Sequence, residues 1–283
     1  MIRLTLSLLV ICTVTFKSIG QDFQGLAIYS SKKQLNVEEL EFQSDNRMTP
    51  DIQAEIKAQI AKAFEKTYVL NFNKFESFYE EDQKLSNPTM GNSGIQMQFD
   101  GENRAKIYKN LKEQKYLSEE NIFGKDFLVV DSLPKMNWTI EPEQKKIGIY
   151  TCYKAILIIP VTDEDKKLYE ELVKNQDIEK TNFMTLVEPA EETVEAWFTL
   201  DIPVSNGPDM YGGLPGLILE LHANETVFLC SKIILNTTEK ITIKAPKSGK
   251  KVTQKEFDTI KHERINQMMY DQQNDENTII ITR

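Results

Sequence analysis

The chain has 283 residues, 40% of them hydrophobic, and a formal net charge of −9. That length suits one sizeable domain, or at most two small ones, and a core of that size needs no disulfide scaffold. The basic residues are spread along the chain, which excludes the clustered positive footprint of a nucleic-acid binder, and an acidic surface mainly confers solubility.

Residues 1–20 read as a signal peptide. Arg3 supplies a short positive start, Leu4 to Phe16 is mostly apolar, and Ser18-Ile19-Gly20 offers small residues for cleavage before Gln21. The apolar run is too short to span a membrane. Cleavage removes Arg3 and Lys17 and no acid, so −9 becomes −11. It also removes Cys12 and leaves Cys152 and Cys230, which in an oxidising compartment either pair or remain as two buried thiols.

Leu26 to Tyr29 is a first short strand. Thr49-Pro50-Asp51 opens a helix with a capping hydroxyl, a proline at the first helical position and an early acid. Ile52, Ile56, Ile60 and Phe64 then mark one apolar stripe to about Lys66. Tyr68 to Asn73 alternates as a strand that Phe75 to Tyr79 continues, and Ile95 to Phe99 alternates again. Ala105 to Lys109 and Lys115 to Ser118 read as neighbours in a meander, and Phe127 to Val130 is a denser apolar run. Trp138 to Ile140 and Ile147 to Ile159 follow, with Pro142 to Lys145 as a hairpin connection.

An acidic, exposed helical excursion at 162–192 interrupts the strands, and Thr162 with Asp165 resembles a capping box. Val194 to Ile202 alternates. The densest Gly/Pro stretch, Gly207 to Gly216, then launches an apolar strand at Leu217. Leu214-Pro215-Gly216-Leu217 reads as a type II turn, with proline fixing φ and Gly216 supplying the positive φ. Strict alternation sets Leu217, Leu219 and Leu221 on one face and Ile218, Glu220 and His222 on the other. Thr226 to Leu235 and Ile241 to Ala245 are further strands. Thr253 with Glu256 caps a last helix striped by Phe257, Ile260, Ile265, Met268 and Met269.

Gly213-Leu214-Pro215-Gly216-Leu217-Ile218 resembles the naming motif of the bacterial GLPGLI family. Ala196-Trp197, Thr199, Ile202-Pro203 and Gly207-Pro208 accompany it, as does the earlier block of Trp138, Ile140, Ile147, Gly148, Tyr150, Cys152 and Lys154-Ala155. The resemblance covers most of residues 21–283, taken as a single domain. It implies an exported envelope protein of unknown biochemical activity, periplasmic, outer-membrane associated or secreted. It carries no catalytic residues with it.

Chemistry-bearing residues are sparse. His222 shares a strand face with Glu220, which gives two weak candidate ligands for zinc, but no third is identifiable. Cys152 and His222 are a possible nucleophile and base on residue type alone. There is no Gly-x-Ser-x-Gly elbow and no phosphate-binding glycine pattern, and no cofactor is called for. Trp138, Trp197, Tyr211, Leu214 and Pro215 are the candidate binding residues, as an aromatic and apolar lining beside the loop.

The fold expected is α+β and mainly antiparallel β, a strongly curved or half-barrel sheet with a helix near each end packed on it. Three functional readings follow. The first is a non-enzymatic envelope protein that binds an apolar ligand or a protein partner in a cleft. The second is a hydrolase or metal site centred on His222. The third is a structural module of an outer-membrane complex with an exposed apolar patch at the central loop.

Overall fold

The computed structural model describes residues 23–33, 65–82, 106–122, 124–175, 188–237 and 241–274. The first strands, β1 (Gln24–Lys33), β2 (Glu65–Asn73), β3 (Glu76–Glu81), β4 (Lys106–Asn110), β5 (Lys115–Ile122) and β6 (Lys125–Ser132), form one antiparallel meander. A second meander, β7 (Thr139–Ile147), β8 (Tyr150–Ile159), β9 (Glu192–Thr199), β10 (Leu217–Ala223) and β11 (Thr226–Leu235), comes in from the far edge until β11 pairs antiparallel with β1. The short β12 (Lys250–Val252) lies parallel to β6 and covers that edge. Among the described residues this makes one 12-stranded sheet, and it is not closed. Neighbours in sequence are neighbours in the sheet, as is usual for consecutive strands; the tight turns at β2–β3, β4–β5, β5–β6, β7–β8 and β10–β11 can join only antiparallel strands.

Among the described residues two helices stand outside the sheet, α1 (Asp163–Asn175) between β8 and β9, and α2 (Gln254–Asn274) after β12. Both begin where capping chemistry predicts. The Thr162 amide and hydroxyl donate to the Asp165 carboxylate, and the Asp165 amide donates back to Thr162 Oγ1. Thr253 and Glu256 repeat the arrangement at α2. The helix expected from Thr49 to about Lys66 lies mostly outside the described residues, although Glu65 and Lys66 belong to β2. Residues 1–20 and the strand expected at Ile95 to Phe99 also lie outside them.

Three local expectations are corrected. Phe75 to Tyr79 does not continue β2. Asn73 Oδ1 accepts from the Phe75 and Glu76 amides at 2.8 Å each, which turns the chain back into β3. Pro142 to Lys145 is not a hairpin connection. It lies within β7, where the register jumps between Ile140 and Gln144, and the reversal comes at Gly148, whose φ is +59°. An edge strand tolerates a proline and a bulge because its outer N–H groups have no ladder partner. Ile241 to Ala245 is not a strand; its Ile241 amide instead donates to the Gln24 side chain at 3.0 Å.

The core falls into three clusters. The first joins Ala27, Tyr29, Leu70, Phe72, Tyr79 and Ile107 of one meander to Cys152, Trp197, Leu217 and Leu219 of the other. The second gathers Ala155, Leu157, Val194, Ala196, Phe198, Ile218 and Leu221. Successive residues of β8, β9 and β10 thus enter different clusters, and these strands are covered on both faces. The third cluster holds Tyr116, Phe127, Val129, Val252 and Phe257, and this is how α2 is fastened to β6.

Candidate functional site

Residues 200–216, between β9 and β10, are the hub of the core. Ile202 and Val204 sit in the first cluster, Met210 packs on the first and third, and Leu214 and Tyr211 belong with the second. The loop holds itself through backbone bonds. Leu217 N donates to Ile202 O at 3.0 Å and Ile218 N to Asn206 O at 3.0 Å, and Asn206 bridges Gly212. Trp138 Nε1 donates to Gly212 O at 2.8 Å and ties the start of β7 to it.

The expected type II turn is not present. Gly216 does not have a positive φ; Gly213 does, at +85°. Gly216 is needed for a different reason. A Cβ there would stand 1.9 Å from Thr199 O and 2.7 Å from its carbonyl carbon, so the loop closes against the end of β9 only without a side chain.

A buried lysine holds the loop from the other meander. Lys109 of β4 is 2% exposed, and its ammonium donates to Asp209 O at 2.7 Å, Tyr211 O at 3.1 Å and Gly207 O at 3.3 Å. Three acceptors match the three donors of an ammonium. Burial pushes this group down to about 7, against the Asp209 carboxylate, which pulls it up. Asp209 is itself raised by burial, against the pull of Lys109. Lys109 was not singled out in the sequence. The one hint is parity, since it shares a strand face with the core residue Ile107.

The second candidate centre is a charged network on β7 to β10. The register shifts between Ile218 and Glu220, so a bulge at Leu219 breaks strict alternation. Leu217 and Leu219 therefore share the first cluster while Leu221 joins Ile218 in the second, correcting the expected grouping of the three leucines. Glu220 then stands opposite Trp197, and His222 opposite Glu195. Glu220 Oε1 takes Lys145 Nζ at 2.7 Å and His222 Nε2 at 2.7 Å. Lys145 Nζ also lies 4.1 Å from the Trp197 ring centroid, and Trp197 Nε1 donates to Glu195 at 2.7 Å. Lys154 joins Glu195 to Glu143, at 3.1 and 2.9 Å.

Burial raises Glu220 and Glu195, but hydrogen bonds from Lys145 and His222 to the first, and from Trp197 and Lys154 to the second, outweigh it and hold both below the ordinary carboxylate range. Both carboxylates are therefore ionised and already satisfied. Beside His222 is a shallow depression of about 200 Å³, lined by polar residues such as Thr193, Asn224 and Glu225. Among the described residues no group of three or more His, Cys, Asp or Glu side chains is placed to hold a metal.

The sequence-predicted residues do not form one site. Trp138, Tyr211 and Leu214 meet in the second cluster, whereas Trp197 lies in the first and Pro215 is exposed. Trp197 lies inside β9. Cys152 and His222 are kept apart. Cys152 is level with Thr199, whereas His222 is level with Glu195, four residues or about 13 Å along the strand. Cys152 and Cys230 stand as free thiols. They lie on β8 and β11 and both pack in the first cluster, Cys152 inside it and Cys230 against it.

Residues 138–220 match the model of a family described as protein of unknown function (Porph_ging). The match runs from the loop-anchoring Trp138 to the Glu220 of the network. No curated protein matches the chain. Among solved structures, PNGF-II in a C2 space group aligns with a TM-score of 0.44 and 14% identity, over 84% of this chain and 32% of that one. PNGF-II in a P21 space group gives a TM-score of 0.42 and 13% identity, over 84% and 33%. The chain thus spans about a third of PNGF-II, and a likeness of this strength carries no functional argument.

Proposed function

We propose that this chain is an exported envelope protein of the GLPGLI type that acts by binding at its surface rather than by catalysis. The observation that carries this reading is the use made of the naming motif. Its loop fills the space between the core clusters and is latched by Lys109, so the motif is a keystone that fixes the rim of the sheet. Of the residues the motif leaves exposed, Pro215 is on that rim beside Gly216, which sits against Thr199 and the exposed Leu200. The signal-like residues 1–20 and the match to a family of unknown function support an envelope role, with residues 21–283 acting as one domain. An interior packed by its own loop favours a partner held at the surface over an apolar ligand enclosed in a cleft.

Cell fractionation with position-specific photocrosslinking tests this. A photoreactive side chain at Leu200 or Pro215 should capture an envelope component, and one at Ile158, out on β8, should not. Retention of the chain in the cytoplasm, or equal capture from both places, would overturn the reading. Loss of cellular function in folded Glu220→Gln, with the rim variants active, would put the hydrolase in its place.

A further inference from the structure

We infer that the central loop is a site for a monovalent cation of ammonium or potassium size, and that Lys109 is the cation that fills it in the intact chain. This goes beyond the surface-binding reading and does not depend on it. Three carbonyls of alternate residues converge on one point, with Gly207 O, Asp209 O and Tyr211 O at 3.3, 2.7 and 3.1 Å from Lys109 Nζ. The point is inside the protein, since Lys109 is 2% exposed. Carbonyls aimed at a common point repel one another, and buried acceptors without a donor are costly. The loop is nonetheless shaped to aim them inward. Asp209, between the other two, holds a φ of +51°, in the left-handed region that a residue with a Cβ enters at a cost. A backbone bent in this way is stable only around a positive charge. Rings of backbone carbonyls replace the hydration shell of potassium in selective channels, and an ammonium group is of nearly the same size.

The surroundings supply a second argument. Ser77 on β3 is level with Lys109 and shares its face of the sheet, and Tyr79 is next on that face. Ser77 Oγ and the Tyr79 hydroxyl are buried, and among the described residues neither has a hydrogen-bond partner. Two uncommitted hydroxyl oxygens thus flank the three carbonyls. Asp209 adds charge, since its carboxylate favours the Lys109 ammonium against the cost of burial. Neutral oxygens with a single carboxylate suit a monovalent ion. Divalent and transition-metal ions take more carboxylate, imidazole or thiolate ligands, and among the described residues no group of three or more His, Cys, Asp or Glu is placed to hold a metal. The same carbonyls and carboxylate exclude an anion. A tethered ammonium fills such a site without the entropy loss of capturing a free ion. That accounts for a lysine on the core face of β4, in line with Ile107.

Chemical rescue of Lys109→Ala in the exported chain tests the inference. The substitution removes the tethered cation and leaves its carbonyls in place. Thermal and urea unfolding are followed at one ionic strength in chloride salts of ammonium, methylammonium, potassium, lithium and tetramethylammonium. The first three ions should stabilise the variant along a saturating curve, whereas lithium and tetramethylammonium, too small and too large for the cage, should not. At ten times its dissociation constant, an ion that binds only the folded chain raises the folded-to-unfolded ratio about elevenfold. The wild-type chain, whose site is filled, should respond alike to all five salts. Lys109→Met, which fills the space with an apolar chain, should not be rescued by any of them. If Lys109→Ala does not fold in lithium chloride, refolding from urea in ammonium chloride gives the same readout. An equal response to every salt, or the same ammonium-specific gain in the wild type, overturns the inference. So does a Lys109→Ala chain that no ion stabilises, folded or not, because the loop then needs the lysine stem and not a cation.

Discussion

Gly216→Ala is the sharpest test of how the central loop is built. The added Cβ meets Thr199 O at 1.9 Å and its carbonyl carbon at 2.7 Å, and both are backbone atoms of a strand paired on either side. Contacts of this kind need about 3 Å or more, so β9 and β10 must separate by about 1 Å. That strains the Thr199–Leu217 pairing and the bond from Leu217 N to Ile202 O. Overpacking against movable side chains costs about 1–3 kcal/mol, and a rigid backbone acceptor puts this case at or above about 3 kcal/mol. Gly213→Ala is the internal control. Its φ of +85° strains a residue with a Cβ by about 1 kcal/mol, but the nearest atoms are 3.9 Å away in the Trp138 ring. Urea denaturation of the exported chain should therefore rank Gly216→Ala well below Gly213→Ala in stability. The melting temperature of the first should fall by about 6–12 °C, at roughly 2–4 °C per kcal/mol. If Gly213→Ala proves the more damaging, close approach is the wrong reason for Gly216 and the positive-φ turn returns.

Further outcomes can be checked on the same protein. Lys109→Met leaves the Gly207, Asp209 and Tyr211 carbonyls without their donor and should cost about 2–4 kcal/mol by denaturant titration. Because the folded state holds Lys109 near 7, below its ordinary 10.5, the unfolded chain binds more protons between those values. Its contribution to stability should therefore rise with pH across that window and be lowest below it, a slope that Lys109→Met removes. Cys152 and Cys230 should both titrate in denatured, unreduced protein. In the folded protein they should react slowly at pH 8, since burial pushes them up to about 11 and about 12. Glu220→Gln should cost no more than about 1 kcal/mol, because its partners Lys145 and His222 reach water once released. A larger loss would mean that the network supports the core.

Local chemistry was legible in the sequence wherever it depends on residues a few positions apart. The capping boxes at Thr162 and Thr253 and the strands around Ile28, Tyr153 and Phe228 need only side-chain spacing, and the antiparallel class follows from a succession of strands with few helices between them. The central stretch was legible as a shaped loop, but the reason for its glycine was not. Turn propensity assigns Gly216 a positive φ, whereas its close approach is to Thr199, seventeen positions earlier, and only the folded chain brings them together. Lys109 is an extreme case of the same kind. A charged residue in an alternating strand reads as solvent-facing, and its burial becomes tolerable only when three carbonyls arrive from residues 98 to 102 positions away. The bulge at Leu219 adds one residue to a strand without any Gly or Pro to mark it, which reassigns every face beyond it and decides that Glu220 meets Lys145. Strand order was likewise decided by tertiary pairing, because β1 chooses β11 across some two hundred residues of intervening chain.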